Sequence, residues 1–330
     1  MPDSPIYVTK PSLPPLDELI PYLEKIWETG ILSNCGPFHQ ELESQLCDYL
    51  GVRYISLFNN ATIGLMLAIR ALDLSGEIIT TPYSFAATSQ SIEWNGAKPV
   101  FIDVESDSGN MEPEKIEAAI TSSTSAIMPV HVYGQPCNSG RIQEIADKHK
   151  LAIIYDAAHA FGIKNRGESI LNHGDLSVVS FHATKVFNTF EGGAIISNSI
   201  EMKQKIDSLK NFGIQGETTL QINGLNGKMS EVQAAMGLIQ LKHIDKAIEM
   251  RKQISLRYDE GLKMIPGLTK LCKDSNINSN YSYYAICINK NCKLTRDEVQ
   301  RLLAGEQIYT RKYFYPALSD FDHYIASAQS

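Results

Sequence analysis

The sequence predicts an α/β fold in which helices cover a mainly parallel β-sheet. Short apolar runs alternate with amphipathic helical patterns from Tyr54 to Ser197, and this alternation requires right-handed crossovers between parallel strands. Phe85, Asp156 and Lys185 each lie at or just after the carboxyl end of a predicted strand, where such sheets bind their ligands. The 330 residues, 43% of them hydrophobic, are enough for a large core and two domains.

The N-terminal part of the chain predicts an extended segment followed by two helices. Residues 1–15 are rich in proline, so we expect them to lie extended over the surface. Leu16–Thr29 has apolar residues at helical spacing. Phe38–Leu50 has the same pattern and is closed by Gly51.

Strands and helices then alternate. The predicted strands are Tyr54–Phe58, Glu77–Thr80, Lys98–Asp103, Ala126–Val130 and Leu151–Tyr155, with one more on either side of Lys185. The predicted helices are Ala61–Leu72, Ala86–Trp94, Glu112–Ile120, Ser139–Lys150 and Glu201–Asn211. A long helix, Met229–Tyr258, leads into strands at Tyr283–Ile288 and Ile308–Tyr309 and a helix at Thr295–Ala304. We therefore predict an N-terminal segment and helix (1–30), a large α/β domain (31–240) and a small α+β domain (241–330).

The composition argues against several classes of protein. A net charge of −7 disfavours a general nucleic-acid-binding surface. No apolar run is long enough to span a bilayer, and the N-terminus lacks the pattern of a signal peptide. The six cysteines are scattered without a C-x-x-C, which predicts reduced thiols in a cytoplasmic protein rather than disulfides or a metal site.

Residues 178–197, VVSFHATKVFNTFEGGAIIS, place one lysine in a polar turn between two apolar strands. Lys185 would then lie at the mouth of the core, where lost hydration lowers the pKa of its amine and makes it a nucleophile toward an aldehyde. Gly192 and Gly193 would let the backbone approach a phosphate or a ring. A surface lysine in a polar hairpin explains this stretch, taken alone, equally well. Further hydrogen-bonding groups around the lysine would come from Ser180, His182 and Thr184.

Asn59, Asn60, Ala61 and Thr62 follow one strand and open a helix. Small polar residues at such a junction make an anion site, because free N–H groups and the helix dipole face the ligand. Taken alone, the pattern favours an ordinary N-cap, which asparagine and threonine also make.

Asp156 follows the apolar run LAIIY and would emerge where a buried strand ends. A carboxylate there could hold a protonated ring nitrogen, as pyridoxal phosphate enzymes require, or it could bind a ribose or cap a helix. No G-x-G-x-x-G follows a strand and no P-loop motif occurs, which disfavours a nicotinamide or P-loop site. His159 is within reach of the same ligand if Asp156 leads into a turn.

The stretch YTRKYFYP, from Tyr309 to Pro316, combines two cations with four aromatic residues. It could grip an anionic, ring-bearing ligand by charge and stacking. The alternative is a packed domain edge with snorkelling cations. The density of aromatic residues modestly favours the first interpretation.

Several spaced motifs carry a family resemblance: NNATIGLMLAIRAL, TTPYSFAAT, PVHVYGQP, YDAAHAFG, SFHATKVFNTFEGGAIIS and NGKMSEVQAAMGLIQL. From about Gly30 to Tyr258 the chain resembles the DegT/DnrJ/EryC1/StrS family of sugar-nucleotide aminotransferases. Its tail from Tyr309 resembles the subgroup that acts on dTDP-keto-6-deoxyhexoses. The resemblance implies a fold-type I enzyme with a mainly parallel, mixed sheet of the seven-stranded type. It also implies a pyridoxal 5′-phosphate cofactor, in its pyridoxamine form in one half-reaction, and a homodimer with shared active sites.

The resemblance implies roles for individual residues. Lys185 would form a Schiff base with the cofactor and shuttle a proton between the cofactor carbon and the sugar carbon. Asp156 would pair with the pyridine nitrogen and keep it protonated, and His159 would lie near the 3′-hydroxyl. The other cofactor contacts would be Phe85 on the ring face, Asn60, Ala61, Thr62 and Ser180 at the phosphate, and Asn226 from the other subunit. Tentative substrate contacts would be Lys228, Tyr309, Arg311 and Tyr313.

The chain departs from the family pattern at three places. Asn60-Ala61-Thr62 stands where the family has Ser-Gly-Thr, and Asn226-Gly227-Lys228 where it has Asn-Tyr-Arg. The second change would weaken or move a cationic contact to the substrate diphosphate. The chain also stops soon after YFYPALSDFDHY, so we expect a small domain shorter than that of its relatives, which could cost activity.

The resemblance implies transfer of an amino group from L-glutamate to C4 of dTDP-4-keto-6-deoxy-D-glucose. The product, dTDP-4-amino-4,6-dideoxy-D-glucose, would serve surface-polysaccharide (O-antigen) synthesis. One alternative is amination of a 3-keto isomer, since those enzymes partly share the motifs. Another is a cofactor-binding regulator without catalysis. A dehydratase of the same family is disfavoured, because those enzymes replace the lysine at position 185 with histidine.

Overall fold

The computed structural model describes residues 4–216, 218–220, 222–271 and 277–328. Cys272 lies outside the described residues. The other cysteines, Cys35, Cys47, Cys137, Cys287 and Cys292, carry free thiols. Among the helices of this described part, none combines the length and apolarity that a bilayer crossing needs.

Helices account for much of the described chain. They are α1 (Leu16–Thr29), α2 (Pro37–Leu50), α3 (Ala61–Ala71), α4 (Ala86–Trp94), α5 (Ile116–Ala119), α6 (Ser139–His149), α7 (Ile200–Leu209), α8 (Glu231–Leu262), α9 (Arg296–Gly305) and α10 (Asp322–Ala328). The strands are β1 (Tyr54–Phe58), β2 (Glu77–Thr80), β3 (Lys98–Phe101), β4 (Thr124–Ile127), β5 (Ala152–Asp156), β6 (Lys164–Asn165), β7 (Glu168–Ser169), β8 (Leu176–Ser180), β9 (Gly193–Ser197), β10 (Ile214–Gln215), β11 (Thr219–Leu220), β12 (Leu268–Lys270), β13 (Ile277–Asn278) and β14 (Ile286–Ile288).

The central sheet has seven strands in the order β1-β9-β8-β5-β4-β2-β3, which confirms the predicted fold class. Neighbouring strands from β8 to β3 are parallel, whereas β9 is antiparallel to both β8 and β1. Because β1 and β8 both oppose β9, they run in the same direction. The carboxyl ends of β1, β2, β5 and β8 therefore meet at one edge of the sheet.

Both faces of the sheet are covered, as expected for buried parallel strands. Val178 and Ile195 pack with residues of α3 and α4 on one face. Val179 and Ile196 pack with residues of α2 and α8 on the other face, because successive side chains of a strand point to opposite sides.

One predicted helix and one predicted strand are shorter in the structure than expected. The predicted helix Glu112–Ile120 is a 3₁₀ turn followed by the short α5. It ends early because Ile120 is extended and the N–H of Thr121 donates to Thr124 Oγ1, a local turn that competes with the helix. The predicted strand Tyr283–Ile288 is shortened to β14.

The predicted strand at Ile308 is a single parallel bridge to Ile6, so the N-terminal segment pairs with the C-terminal region. The same segment also presents the carbonyl of Ser12 to the side-chain amides of Asn188 and Gln240. The proposed domain boundary at residue 241 falls inside α8, which extends through both parts of the chain; the division into domains stays a prediction.

The helix α2 begins without a capping side chain of its own, since Gly36 occupies the N-cap position. The carboxylate of Glu231, buried at the start of α8, replaces it: the N–H groups of Phe38 and His39 donate to its two oxygens at 2.9 and 3.0 Å. An acid at a helix N-terminus is favoured by both these bonds and the helix dipole. Glu231 thus fastens α2 to α8.

Replacing Glu231 with alanine should lower the free energy of unfolding by about 3 kcal/mol, because two buried N–H groups lose a charged acceptor. Glu231→Gln, which keeps an acceptor, should cost less. Glu249→Ala, an exposed change on the same helix, should stay within about 0.5 kcal/mol. Urea denaturation followed by circular dichroism measures all three, and equal effects of Glu231→Ala and Glu249→Ala would contradict the capping role.

Candidate active site

Four elements bring polar groups together at the carboxyl edge of the sheet. They are the start of α3 after β1, the turn and α4 after β2, the end of β5, and the turn after β8. Predicted site residues lie on each: Ala61, Phe85, Asp156 and Lys185. The direction of the strands is what brings these distant parts of the sequence to one place.

Lys185 lies in the turn between β8 and β9, where its N–H donates to the carbonyl of His182. Its side chain is half-buried, and burial lowers the pKa of the amine from 10.5 to about 8. The negative charge of Asp156 opposes this shift, and the positive charge of Arg311 adds to it. A large fraction of the amine is therefore unprotonated and nucleophilic near pH 8.

Asp156 ends β5 and is buried. Thr88 Oγ1 donates to its Oδ2 at 2.7 Å, and the N–H of Ala158 donates to its Oδ1 at 3.1 Å. Burial raises the pKa of the carboxyl group above its ordinary value, and these two donors and the charge of Lys185 limit the rise. The site thus holds an acid whose charge depends on its partners.

His159 is buried three residues further on, and its Nδ1 accepts the N–H of Tyr133 at 3.1 Å. Burial and the charge of Lys185 keep the pKa of the imidazole well below 6.5, so the ring is neutral. Because Nδ1 accepts, the proton lies on Nε2, which is the donor available to a ligand. The ring of Tyr283 packs against the imidazole with centroids 4.5 Å apart.

The start of α3 combines a cap with free donors. The side chain of Asn60 accepts the N–H of Ile63 at 2.9 Å, so Asn60 forms the ordinary N-cap that the sequence pattern favoured. The N–H groups of Ala61 and Thr62, in the first turn, have no acceptor within the helix, an arrangement that in general suits an anion. Phe85, 60% exposed, occupies the N-cap position of α4 at the same edge.

Gly192 and Gly193 lie where a side chain would collide with neighbouring parts of the protein. Gly193 pairs with Phe58 on one side and Ser180 on the other. A Cβ on Gly193 would lie 2.7 Å from the backbone N and Cα of Ala61, so this glycine lets α3 start close to the sheet. A Cβ on Gly192 would meet the side chain of Thr189. The expectation that these glycines let the backbone approach a phosphate or a ring stays a prediction.

The segment around Asn226 is tied to the site edge through the backbone, since the N–H of Asn59 donates to the carbonyl of Gly227. The side chain of Asn226 is exposed. Lys228 donates from Nζ to Asn211 Oδ1 at 2.7 Å and lies 5.0 Å from the ring centre of Phe212. Lys228 is therefore already partnered within the chain.

The aromatic stretch near the C-terminus divides between two locations. Tyr313 packs edge-on against Tyr283, and the guanidinium of Arg311 lies 4.9 Å above the ring of Tyr313. Tyr309 instead stacks on Tyr7, with ring centres 5.3 Å apart. Arg311 and Tyr313 thus join the site, whereas Tyr309 packs against the N-terminal segment.

Sequence reasoning missed several residues that shape this site, notably Thr88, Tyr133 and Tyr283. Thr88 lies one helical turn after Phe85, and this spacing in TTPYSFAAT could have indicated a shared face. Tyr133 has a left-handed backbone (φ 54°), which is uncommon for an aromatic residue. No sequence pattern placed Tyr283 against His159.

The charge balance at Lys185 predicts how its reactivity depends on pH. Labelling of its amine by an acylating reagent should rise with pH with a midpoint at about 8, because only the unprotonated amine reacts. Arg311→Gln removes a positive charge and should move the midpoint up. Asp156→Asn removes a negative charge and should move it down. Mass spectrometry of the Lys185 peptide measures each midpoint; a wild-type midpoint at about 10.4, as for an exposed lysine, would contradict the assignment.

Residues 16–329 match the model of the DegT/DnrJ/EryC1/StrS aminotransferase family. A dTDP-4-amino-4,6-dideoxy-D-glucose transaminase of Shigella dysenteriae is 54% identical over 323 residues, which cover 98% of this chain and 88% of the relative. A transaminase of the same name from Escherichia coli is 52% identical over the same shares of the two chains.

Solved structures of aminotransferases also resemble this chain. The crystal structure of DesI with its TDP-sugar product matches with a TM-score of 0.93 at 36% identity, covering 98% of this chain and 82% of that one. Helicobacter pylori PseC, an aminotransferase of pseudoaminic acid biosynthesis, matches with a TM-score of 0.92 at 27% identity, covering 99% and 89%. The resemblance seen in the motifs is therefore confirmed, and the chain belongs to the DegT/DnrJ/EryC1/StrS aminotransferase family.

Proposed function

We propose that the chain transfers an amino group from L-glutamate to C4 of dTDP-4-keto-6-deoxy-D-glucose and so makes dTDP-4-amino-4,6-dideoxy-D-glucose for surface-polysaccharide synthesis. The observation that carries the chemistry is Lys185, whose amine has a pKa of about 8 and lies in the field of the buried Asp156. The names of the two most similar relatives reported above support the sugar and the carbon.

The residues at the sheet edge fit pyridoxal 5′-phosphate. The N–H groups of Ala61 and Thr62 suit its phosphate, and Ser180 lies at the carboxyl end of β8 on the same edge of the sheet. The buried Asp156 suits a protonated ring nitrogen, and the exposed ring of Phe85 suits its face. When bound, the cofactor supplies an aldehyde and a protonated ring that withdraws electrons from the bonds of the reacting carbon.

Three side chains of the protein would provide the remaining functions of the site. Burial raises the pKa of Asp156, and its hydrogen-bond donors and the charge of Lys185 limit this rise and so favour the negative charge. His159, neutral and protonated at Nε2, would donate a hydrogen bond to the oxygen at the 3′ position of the cofactor. Lys185 would hold the cofactor through its amine. Once free, its Nζ would act as the base and acid that carries a proton between the cofactor carbon and the substrate carbon, which is the α-carbon of the donor in one half-reaction and C4 of the sugar in the other.

Arg311 is the better candidate for an anionic group of the substrate. Its side chain is exposed and its charge acts on Lys185, whereas Lys228 already donates to Asn211. Tyr313, which packs beside Arg311, would border the same space. Tyr309, stacked on Tyr7, would contribute less.

We also propose that the active unit is a homodimer. The exposed side chain of Asn226 is available to a second copy of the chain, and the family resemblance assigns it to the phosphate of the partner's cofactor. Residues 241–330 would form the small domain of each subunit. The cytoplasmic location predicted from the sequence stays a prediction.

The acceptor is tested by incubating the protein with glutamate, the cofactor and either dTDP-4-keto-6-deoxyglucose or its 3-keto isomer. We expect an aminated product only from the 4-keto sugar, identified by mass spectrometry and by the position of nitrogen in its NMR spectrum. Turnover of the 3-keto isomer alone would favour the alternative acceptor, and turnover of neither would favour a regulator without catalysis.

The covalent role of Lys185 is tested by borohydride reduction of protein saturated with pyridoxal 5′-phosphate. The peptide that contains Lys185 should gain the pyridoxyl group, and Lys185→Ala should lose both this label and the visible absorbance of the bound cofactor. Lys164→Ala, a change on β6, which belongs to a separate three-stranded sheet, should keep both. An unlabelled Lys185 in the wild-type protein would remove the basis of the proposed chemistry.

A further inference from the structure

A buried line of hydroxyl groups leads to the acid at the centre of the site. Ser84 Oγ lies 2.7 Å from Thr88 Oγ1, which lies 2.7 Å from Asp156 Oδ2. Ser84 is 4% exposed, Thr88 0% and Asp156 5%. Sequence reasoning assigned no role to either hydroxyl.

The chemistry of the three groups fixes the direction of these bonds. A carboxylate only accepts, so the single hydrogen of Thr88 Oγ1 goes to Asp156, and Thr88 in turn accepts the hydrogen of Ser84. The N–H of Ala158 occupies the other oxygen, Oδ1. Each carboxylate oxygen of Asp156 therefore has a donor from the protein.

These donors offset the tendency of burial to neutralise Asp156. Hydrogen bonds to an ionised carboxylate are short and strong, and they lower its pKa. The charge of Lys185 acts in the same direction, but with a pKa of about 8 that amine carries a full charge only part of the time. The hydroxyl of Thr88 donates whether or not Lys185 is charged.

The C-terminal segment contacts both the helix α4, which carries Thr88, and the turn before it, which carries Ser84. Tyr324 Oη donates to Ser89 Oγ at 2.6 Å, and the N–H of Leu318 donates to the carbonyl of Pro82 at 2.9 Å. These two hydrogen bonds fix α4 and the turn before it at positions next to Ser84 and Thr88. The positions of both hydroxyls are therefore set by packing.

We propose that Thr88 is a positioning residue that keeps Asp156 ionised and oriented toward a protonated ring nitrogen, and that Ser84 supports it. Thr88 would not touch the cofactor but would act through the carboxylate. This inference rests on the proposed function, because it takes the ligand of Asp156 to be the pyridine nitrogen of pyridoxal 5′-phosphate.

The experiment compares dissociation constants for two ligands in each variant. One is pyridoxal 5′-phosphate; the other is its 1-deaza analogue, in which a C–H group replaces the ring nitrogen. The variants are Thr88→Val, which removes the hydroxyl at nearly constant volume, Thr88→Ser, which keeps it, and Ser84→Ala. Thr80→Val is the matched control, since it removes a buried hydroxyl at the same sheet edge that donates to the carbonyl of Met128.

We expect Thr88→Val to weaken binding of pyridoxal 5′-phosphate by about 10-fold or more, the range for a lost hydrogen bond to a charged group. Binding of the analogue should change little, because that ligand has no ring nitrogen for Asp156 to hold. Thr88→Ser should restore the wild-type affinity to within about threefold, and Ser84→Ala should show a smaller loss with the same selectivity. Thr80→Val should not distinguish the two ligands.

Equal losses for both ligands in Thr88→Val, or no loss for either, would overturn the inference and leave the proposed function intact. If Thr88→Val does not fold, the selectivity of Ser84→Ala decides in its place. A wild-type protein that binds neither ligand would contradict the proposed function itself.

Discussion

The site depends on a pair of opposite charges held at the edge of a parallel sheet. Asp156 is buried, so its negative charge is costly unless donors and a cation surround it. Lys185 is that cation, and its own charge is weakened by the same burial and by Arg311. Burial is the main cause of both pKa shifts, and each group favours the charged form of the other. Neither group could be moved to the protein surface without losing the property that makes it reactive.

The direction of the strands brings the other site residues next to this pair of charges. Because β1, β2, β5 and β8 all end at one edge, the helix start at Ala61, the ring of Phe85 and the two charges lie together without a long loop. The antiparallel β9 fits between β1 and β8, and Gly193 leaves the space in which α3 begins. The phosphate-type donors and the lysine are therefore parts of one packing arrangement.

Much of this could be predicted from the sequence, because the relevant signals are local. The apolar run before Asp156 and the polar turn around Lys185 predicted that both residues lie at the ends of strands. The family motifs implied roles that local signals left open, including those at Asn60 and His159, and these roles stay predictions. What could not be predicted depends on contacts between distant segments. Phe38 and Glu231 are 193 positions apart, and no pattern around Gly36 indicates that the cap of α2 comes from α8.

The N-terminal segment has a consequence for how the protein tolerates shortening. It contains none of the groups assigned to the chemistry, yet Ile6 is bridged to Ile308, Tyr7 stacks on Tyr309, and Ser12 accepts amides from Asn188 and Gln240. Deleting the first dozen residues would free the stretch that leads to Arg311 and Tyr313 at one end and the loop after Lys185 at the other. Proteolytic cleavage within the N-terminal segment would thus disturb the active site indirectly, by removing the contacts that support it.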